Sequence, residues 1–316
     1  MNVEEARAAI KELKAQTKRP ININVFSHQS PVADPERNAG WLKTLAGYFE
    51  KLGQSPPIEL KEIYLSFNQQ QELLELLVEE RPPVVSFHFG LPSAEYIAAL
   101  QAAGITLIAT ATSIEEARLI ENAGLDAVIA QGYEAGGHRG IFDEDAPDDQ
   151  LGTLALTRLC VKKIRLPVIA AGGIMDGAGV AAVLALGAQA AQLGTAFNAC
   201  PESAADEGYW NALRSENAGH TVMTRAISGR PARAIPNSLT RAVKYDHELK
   251  HISRYPLAYD AAKTLQALAK AQGSEEFATR WAGQSAVLSR SLPAGTLIET
   301  LRQEIITALN KISGIV

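Results

Sequence analysis

The middle of the chain repeats one pattern: an amphipathic stretch that closes on Ala-Gly or Leu-Gly, followed by a short apolar run, as in QAAGITLIAT, ENAGLDAVIA and ALGAQAAQLG. Such a repeat reads as helix, turn, strand. Gly104, Gly124 and Gly187 stand where a helix needs a left-handed C-terminal residue, and Ser113 with Glu116 predicts a capping box at the start of one helix. Apolar runs predict seven strands, near Ile21 to Phe26, Val84 to Phe89, Ile105 to Thr110, Ala127 to Gln131, Pro167 to Ala171, Ala190 to Leu193 and Thr221 to Ile227. Most are apolar at nearly every position, as strands are when helices cover both faces of a parallel sheet. Their regular spacing, with polar and glycine-rich segments at the C-terminal end of strand after strand, favours a (β/α)8 TIM barrel over an open sheet.

The chain opens with a helix, Glu4 to Gln16, so an eight-stranded barrel is one strand short and its first strand is expected before Met1. Two helical stretches interrupt the pattern after the first visible strand, one carrying Trp41, Leu45, Phe49 and Leu52, the other running from Gln69 to Glu80. Beyond Gly229 only helices are expected: Tyr259 to Lys270, Glu275 to Ser289, and a last one with Leu297, Leu301, Ile305 and Leu309 stepping by four. This predicts a barrel domain over residues 1–228 and a helical substrate-binding cap over 229–316.

Composition narrows the function classes. Among 316 residues, 47% are hydrophobic and 21% charged, enough apolar surface for a large core and too much for a disordered chain. Thirty basic and 35 acidic side chains give a formal charge of −5 without a basic cluster, which excludes nucleic acid as the expected partner. Cys160 and Cys200 stand too far apart in sequence, and too far from histidines, to suggest a zinc motif or a disulfide framework. No apolar run is long enough to span a bilayer and the N-terminus is rich in acids, so a cytoplasmic protein without a membrane association is expected.

Three segments carry candidate chemistry. QGYEAGGHRG follows a strand and surrounds His138 with Gly136, Gly137 and Gly140; glycine permits close backbone approach to a ligand, and a histidine on the C-terminal face of a barrel serves as base or hydrogen-bond donor. The pair PVIAAGGIMDG and QLGTAF places Gly172, Gly173, Gly194 and Thr195 after successive strands, where backbone N–H groups and a hydroxyl suit one phosphate. Neither a Walker loop nor a dinucleotide fingerprint occurs. VSFHFG puts His88 at the end of a third strand. Tyr64 is a similar isolated candidate, and Tyr255, Tyr259 and Lys263 share one helical face. His247 and His251 have i, i+4 spacing but lack a third ligand, so no metal is expected.

Taken together, SFHFG, QGYEAGGHRG, PVIAAGGIMDG, QLGTAFNACPES, SGRPAR and YPLAYDAAK resemble the FMN-dependent nitronate monooxygenases of the first class, formerly called 2-nitropropane dioxygenases. The likeness runs from about Lys14 to near the C-terminus; EAGGH, AAGGI and GTAF are shared with FMN-dependent enoyl-thioester and quinone reductases, whereas SFHFG and the late tyrosines discriminate. The resemblance implies a TIM barrel holding FMN and oxidising alkyl nitronates, such as propionate 3-nitronate, with molecular oxygen to a carbonyl compound and nitrite. It further implies His138 as the catalytic histidine. Gly172, Gly173, Gly194 and Thr195 become the phosphate cradle, with Asn24, Gln131, Gly136, Gly137 and Gln192 also on the cofactor. His88, Tyr64, Tyr255, Tyr259 and Lys263 become the substrate pocket. One departure is the absence of the family's opening strand with its Pro-Met-x-Gly type segment, which predicts a start upstream of Met1. The alternatives are an FMN-dependent NAD(P)H:quinone or enoyl-thioester reductase, or a truncated barrel that turns nothing over.

Overall fold

The computed structural model describes residues 3–243 and 251–314. In chain order the N-terminal part runs α1 (Val3–Gln16), β1 (Asn22–Phe26), α2 (Pro35–Lys51), α3 (Gln71–Glu80), β2 (Val84–His88), α4 (Ala94–Ala102), β3 (Thr106–Ala111), α5 (Ile114–Asn122) and β4 (Ala127–Gln131). There follow β5 (Gly137–His138), α6 (Thr153–Lys163), β6 (Val168–Ala171), α7 (Gly177–Ala185), β7 (Ala190–Gln192), α8 (Thr195–Asn198) and α9 (Glu207–Arg214). The remainder comprises β8 (Val222–Thr224), β9 (Ala232–Ala234), α10 (Ser238–Ala242), α11 (Leu257–Ala271) and α12 (Ala294–Ser313). His247, one half of the i, i+4 pair, lies outside the described residues.

Six strands form one parallel sheet in the order β1-β2-β3-β4-β6-β7. Residues of both edge strands, Asn22 and Gln192, line a single cavity, which requires the sheet to curl into an arc. It is a barrel wall that does not close: β1 and β7 each have one strand neighbour among the described residues. The pleat assigns the two faces. On the convex side, Val25, Val85, Phe87, Leu107, Ala109, Val128 and Val168 join the helices in the largest apolar core. On the concave side, Ile108, Ala127, Ile129 and Ala171 make a small apolar floor, while Asn22, Asn24, Ser86, His88, Thr110 and Gln131 supply polar wall.

The left-handed residues at Gly104, Gly124 and Gly187 have φ of +78°, +76° and +100° and end their helices as expected. Ser113 caps α5 by accepting the Glu116 N–H at 3.1 Å, but the box is not reciprocal. The Glu116 carboxylate instead takes the Thr112 N–H at 2.6 Å, the Thr112 hydroxyl at 2.7 Å and the Phe142 N–H at 2.7 Å. A predicted cap is thereby diverted into pinning the long loop that follows β5.

Two expectations are corrected. The seventh apolar run does not join the parallel sheet: Val222–Thr224 pairs antiparallel with β9, and β9 pairs with β5. The barrel arc therefore holds six strands. The stretch 275–289, read as a helix, is extended and turned except for a short 3-10 turn at Ala286–Leu288. Its backbone is engaged elsewhere: Ala282 N–H donates to Arg233 O, Gln284 N–H to Glu134 O, and Arg280 O accepts from Ile235 N–H. Gly283 in its middle lowers the helical alternative further.

The apolar cores also cross the boundary at 228 and 229. Trp41, Leu45 and Phe49 of α2, one of the expected insertions, share a core with Ile227, Leu239, Leu265 and Phe277. By contrast α12 lies on the barrel side, where Ile305 packs among Ile174, Val180 and Val183 and the Glu304 carboxylate accepts the Gly177 N–H at 2.8 Å. One apolar core thus joins α2, the 222–239 region and α11.

Candidate active site

A cavity of about 320 Å³ opens at the C-terminal ends of the strands. Its wall contains Asn24, His88, Gln131, Gly136 and His138 on one side and Gly172, Gly173, Gln192, Gly194 and Thr195 on the other. Three segments far apart in sequence therefore converge, as the strand-end argument requires. The sequence reading missed Asn22, Ser86, Thr110 and Gly283, which also line it. Asn22 and Asn24 were findable as an i, i+2 pair on one strand face. Their amides are linked through Ser86, whose Oγ accepts from Asn22 Nδ2 at 2.8 Å and donates to Asn24 Oδ1 at 2.9 Å.

His138 stands at the junction of cavity and cap. Its ring lies 5.4 Å from Phe89, 5.6 Å from Tyr255, 6.1 Å from Tyr259 and 5.0 Å from Trp281. Burial in this aromatic cage, followed by the neighbouring His88, Arg230 and His28, lowers its pKa to about 3. His88 is lowered to about 4, chiefly by burial. Its Nε2 donates to the His138 carbonyl at 3.2 Å. At neutral pH both imidazoles are uncharged.

The loop around His138 is held by groups with no freedom left to wander. Gln131 gives its amide to the His138 carbonyl at 3.0 Å and takes the Gly140 N–H at 2.7 Å. Buried Arg139 reaches Asp148 with two nitrogens, at 2.8 and 2.9 Å, and the Gln131 carbonyl at 2.6 Å. Gln131 thus serves first as a lock on the loop, with only its spare N–H and lone pair left for a ligand.

The loop glycines face protein. A Cβ on Gly136 would come within 2.5 Å of Gly283 N, and one on Gly140 within 2.6 Å of Thr110 and 2.9 Å of His88. These glycines admit the 282–283 backbone and the His88 ring, and Gly136 also lines the cavity. Gly137 lies outside the cavity wall, paired with Arg233, and its φ of +75° accounts for the glycine.

Tyr64, Tyr255, Tyr259 and Lys263 likewise stand outside the wall but gather behind His138. Tyr64 and Tyr259 have ring centroids 5.8 Å apart, and Lys263 donates to the Tyr64 hydroxyl while lying 5.3 Å from the Tyr259 ring. Tyr255 contacts the His28 ring at 4.9 Å, and burial raises its hydroxyl above the ordinary tyrosine range. Phe89 is the hub, touching His88 at 4.5 Å and Tyr255 at 5.4 Å, with the Arg230 guanidinium over its face at 4.4 Å. Trp281, Arg230, Ser228 and His28 escaped the sequence reading. Ser228 and Arg230 sit inside SGRPAR, whereas His28 and Trp281 have no motif around them.

A sequence profile described as nitronate monooxygenase matches residues 1–304. The chain belongs to the nitronate monooxygenase family. A nitronate monooxygenase of Paraburkholderia phytofirmans is 56% identical over 305 residues, covering 96% of this chain and 83% of the relative. Another, of Pseudomonas aeruginosa, is 49% identical over 302 residues, covering 96% and 86%. Among solved structures, a nitroalkane oxidase from Streptomyces ansochromogenes superposes with a TM-score of 0.89 at 38% identity, covering 98% of this chain and 87% of that one. FabK from Thermotoga maritima gives 0.72 at 29% identity, covering 100% and 85%. As a nitronate monooxygenase family member the chain falls in a flavin-dependent group, and the cavity can be tested against such a group. Gly172 and Gly173 line the cavity with φ of +116° and +69°, where a Cβ would press on Thr153 or Glu134, whereas a Cβ on Gly194 would meet nothing within 4 Å, leaving open space at that point of the wall. Thr195 Oγ1 accepts the Gly283 N–H at 3.1 Å and so retains its own proton for an anion. With Asn and Gln side chains suited to a ring edge bearing both donors and acceptors, the donor set fits.

Proposed function

We propose that this protein is an FMN-dependent nitronate monooxygenase, converting alkyl nitronates such as propionate 3-nitronate with oxygen into a carbonyl compound and nitrite. The observation that carries the reading is the placement of neutral His138 and His88 in the wall of a strand-end cavity whose opposite wall carries Gly172, Gly173, Gly194 and Thr195, with open space at Gly194. Gly172, Gly173, Gly194 and Thr195 would hold the FMN phosphate, and Asn24, Gln131 and Gln192 would meet the ring. When bound, the flavin supplies the electron-accepting chemistry that no side chain can.

The chain's own residues have three tasks. Aromatic packing around His138 keeps water from that side of the cavity, which strengthens each remaining polar contact. Buried Arg230 lowers the affinity of all three histidines for a proton, and the same positive field favours an anion at the same place. Hydrogen bonds to the nitronate oxygens fall to wall donors, the Asn22 amide and the Thr110 hydroxyl. Tyr64, Tyr255, Tyr259 and Lys263 would shape the substrate side from behind His138.

The deciding experiment titrates the protein with FMN under visible spectroscopy and then supplies propionate 3-nitronate in air. Saturable flavin binding with nitrite release and oxygen uptake is expected. Flavin reduced rapidly by NADH or NADPH, with no nitrite formed from the nitronate, would replace this reading with an FMN-dependent NAD(P)H reductase.

A further inference from the structure

His138 is held by a contact that also decides where its proton sits. Its Nε2 lies 2.8 Å from Ser228 Oγ, and the same Oγ lies 3.2 Å from the Arg230 carbonyl oxygen. A serine hydroxyl has one proton, and a carbonyl only accepts. If Ser228 gave its proton to the imidazole, its lone pairs would face the Arg230 carbonyl inside a buried site. Both contacts are satisfied only when Nε2–H donates to Ser228 and Ser228 donates onward to Arg230.

The arrangement is rigid. Ser228 is fully buried, and Gly229 beside it has φ of +94° with the Ser253–Tyr255 backbone where a Cβ would stand. Around the ring, Phe89, Tyr255 and Trp281 oppose a flip. The His138 carbonyl is fixed separately by His88 and Gln131. Nδ1 has no hydrogen-bond partner among the described residues, and the ring forms part of the cavity wall. We infer that Ser228 is a positioning residue that locks neutral His138 as the Nε2–H tautomer, leaving Nδ1 as the unprotonated acceptor of the ring. The tautomer follows from geometry alone; its consequence for turnover rests on the function proposed above.

The test uses protein labelled with ¹⁵N-histidine, with His138 assigned from the spectrum it loses in His138→Gln. In the wild type, near neutral pH and without substrate, His138 is expected to show a protonated Nε2 and a bare Nδ1. Ser228→Ala removes the acceptor and should move the population toward Nδ1–H, where the cavity can satisfy the proton, while Ser228→Thr should restore the wild-type pattern. Nitrite formation from a neutral nitroalkane, whose carbon-bound proton needs an acceptor, should fall by about tenfold or more in Ser228→Ala and recover in Ser228→Thr. A wild-type His138 protonated on Nδ1 overturns the inference even if Ser228→Ala fails to fold. So does a tautomer unchanged in a folded Ser228→Ala. A tautomer that shifts while turnover of the nitroalkane stays constant would uphold the lock and refute the use of Nδ1 as the proton acceptor.

Discussion

Phe89 occupies the left-handed region at φ +72° without being glycine, a conformation that costs a bulky residue on the order of 1–3 kcal/mol. It persists because the rings of Phe26, His88, His138 and Tyr255 and the charge of Arg230 all pack on it. The same crowding makes three histidines poor bases. His28 and His88 are lowered to about 4 and His138 to about 3, each first by burial. In the unfolded chain they titrate near 6.5. As pH falls from 6.5 toward 4, the unfolded chain gains protons that the folded chain refuses, so stability is full above 6.5 and declines below it. The slope reaches about 1.4 kcal/mol per pH unit for each histidine. Urea denaturation at pH 7.5 and pH 5 should show the loss, and His28→Gln should make it shallower. His138 was legible in the sequence because a strand, glycines and histidine fall together; His28 and Trp281 were not, since only the cap's placement makes them neighbours of the site.

Glycines that look alike in sequence do opposite work in the folded chain. Gly136→Ala would press a methyl into the Ala282–Gly283 backbone, and an overpacked contact of this kind costs about 1–3 kcal/mol. Gly194→Ala meets no atom within 4 Å, so its melting temperature should stay near wild type while FMN affinity falls. Calorimetry and flavin titration on the two variants would separate the roles; a strongly destabilised Gly194→Ala would contradict the open space at that position. Strands and helices of the repeating part were readable because their signals are local, an apolar run or a left-handed glycine a few residues away. The fates of 221–227 and 275–289 were not. Each is decided by a distant backbone, β9 in the first case and the 134–136 turn with Arg233 in the second, and hydrophobic periodicity carries no information about such partners.

Two large cores divide the labour. One lies behind the convex face of the sheet, the other joins α2 to the cap around Trp41 and Leu265. Trp41→Ala would leave a cavity costing about 3–5 kcal/mol. Because His138 borders both the barrel cavity and the cap's tyrosines, flavin affinity should fall along with the midpoint of urea unfolding; an unchanged flavin affinity would mean that the site does not depend on the cap. The barrel class was readable from the repeating pattern, but the core that joins α2 to Ile227, Leu239, Leu265 and Phe277 depends on packing between segments about two hundred positions apart.

The contact of Gly136 with Gly283 has a kinetic side. Glu134 and Gln284 are bonded through their backbones, as are Arg233 and Ala282, so the loop that carries His138 and the C-terminal segment close one another. Neither can open alone without breaking the other's ladder. Amide hydrogens at Gly140, Ala282 and Gln284 should therefore exchange with solvent in a single cooperative event. Loop closures of this span are slow to form, so the site would be among the last parts of the molecule to assemble after synthesis.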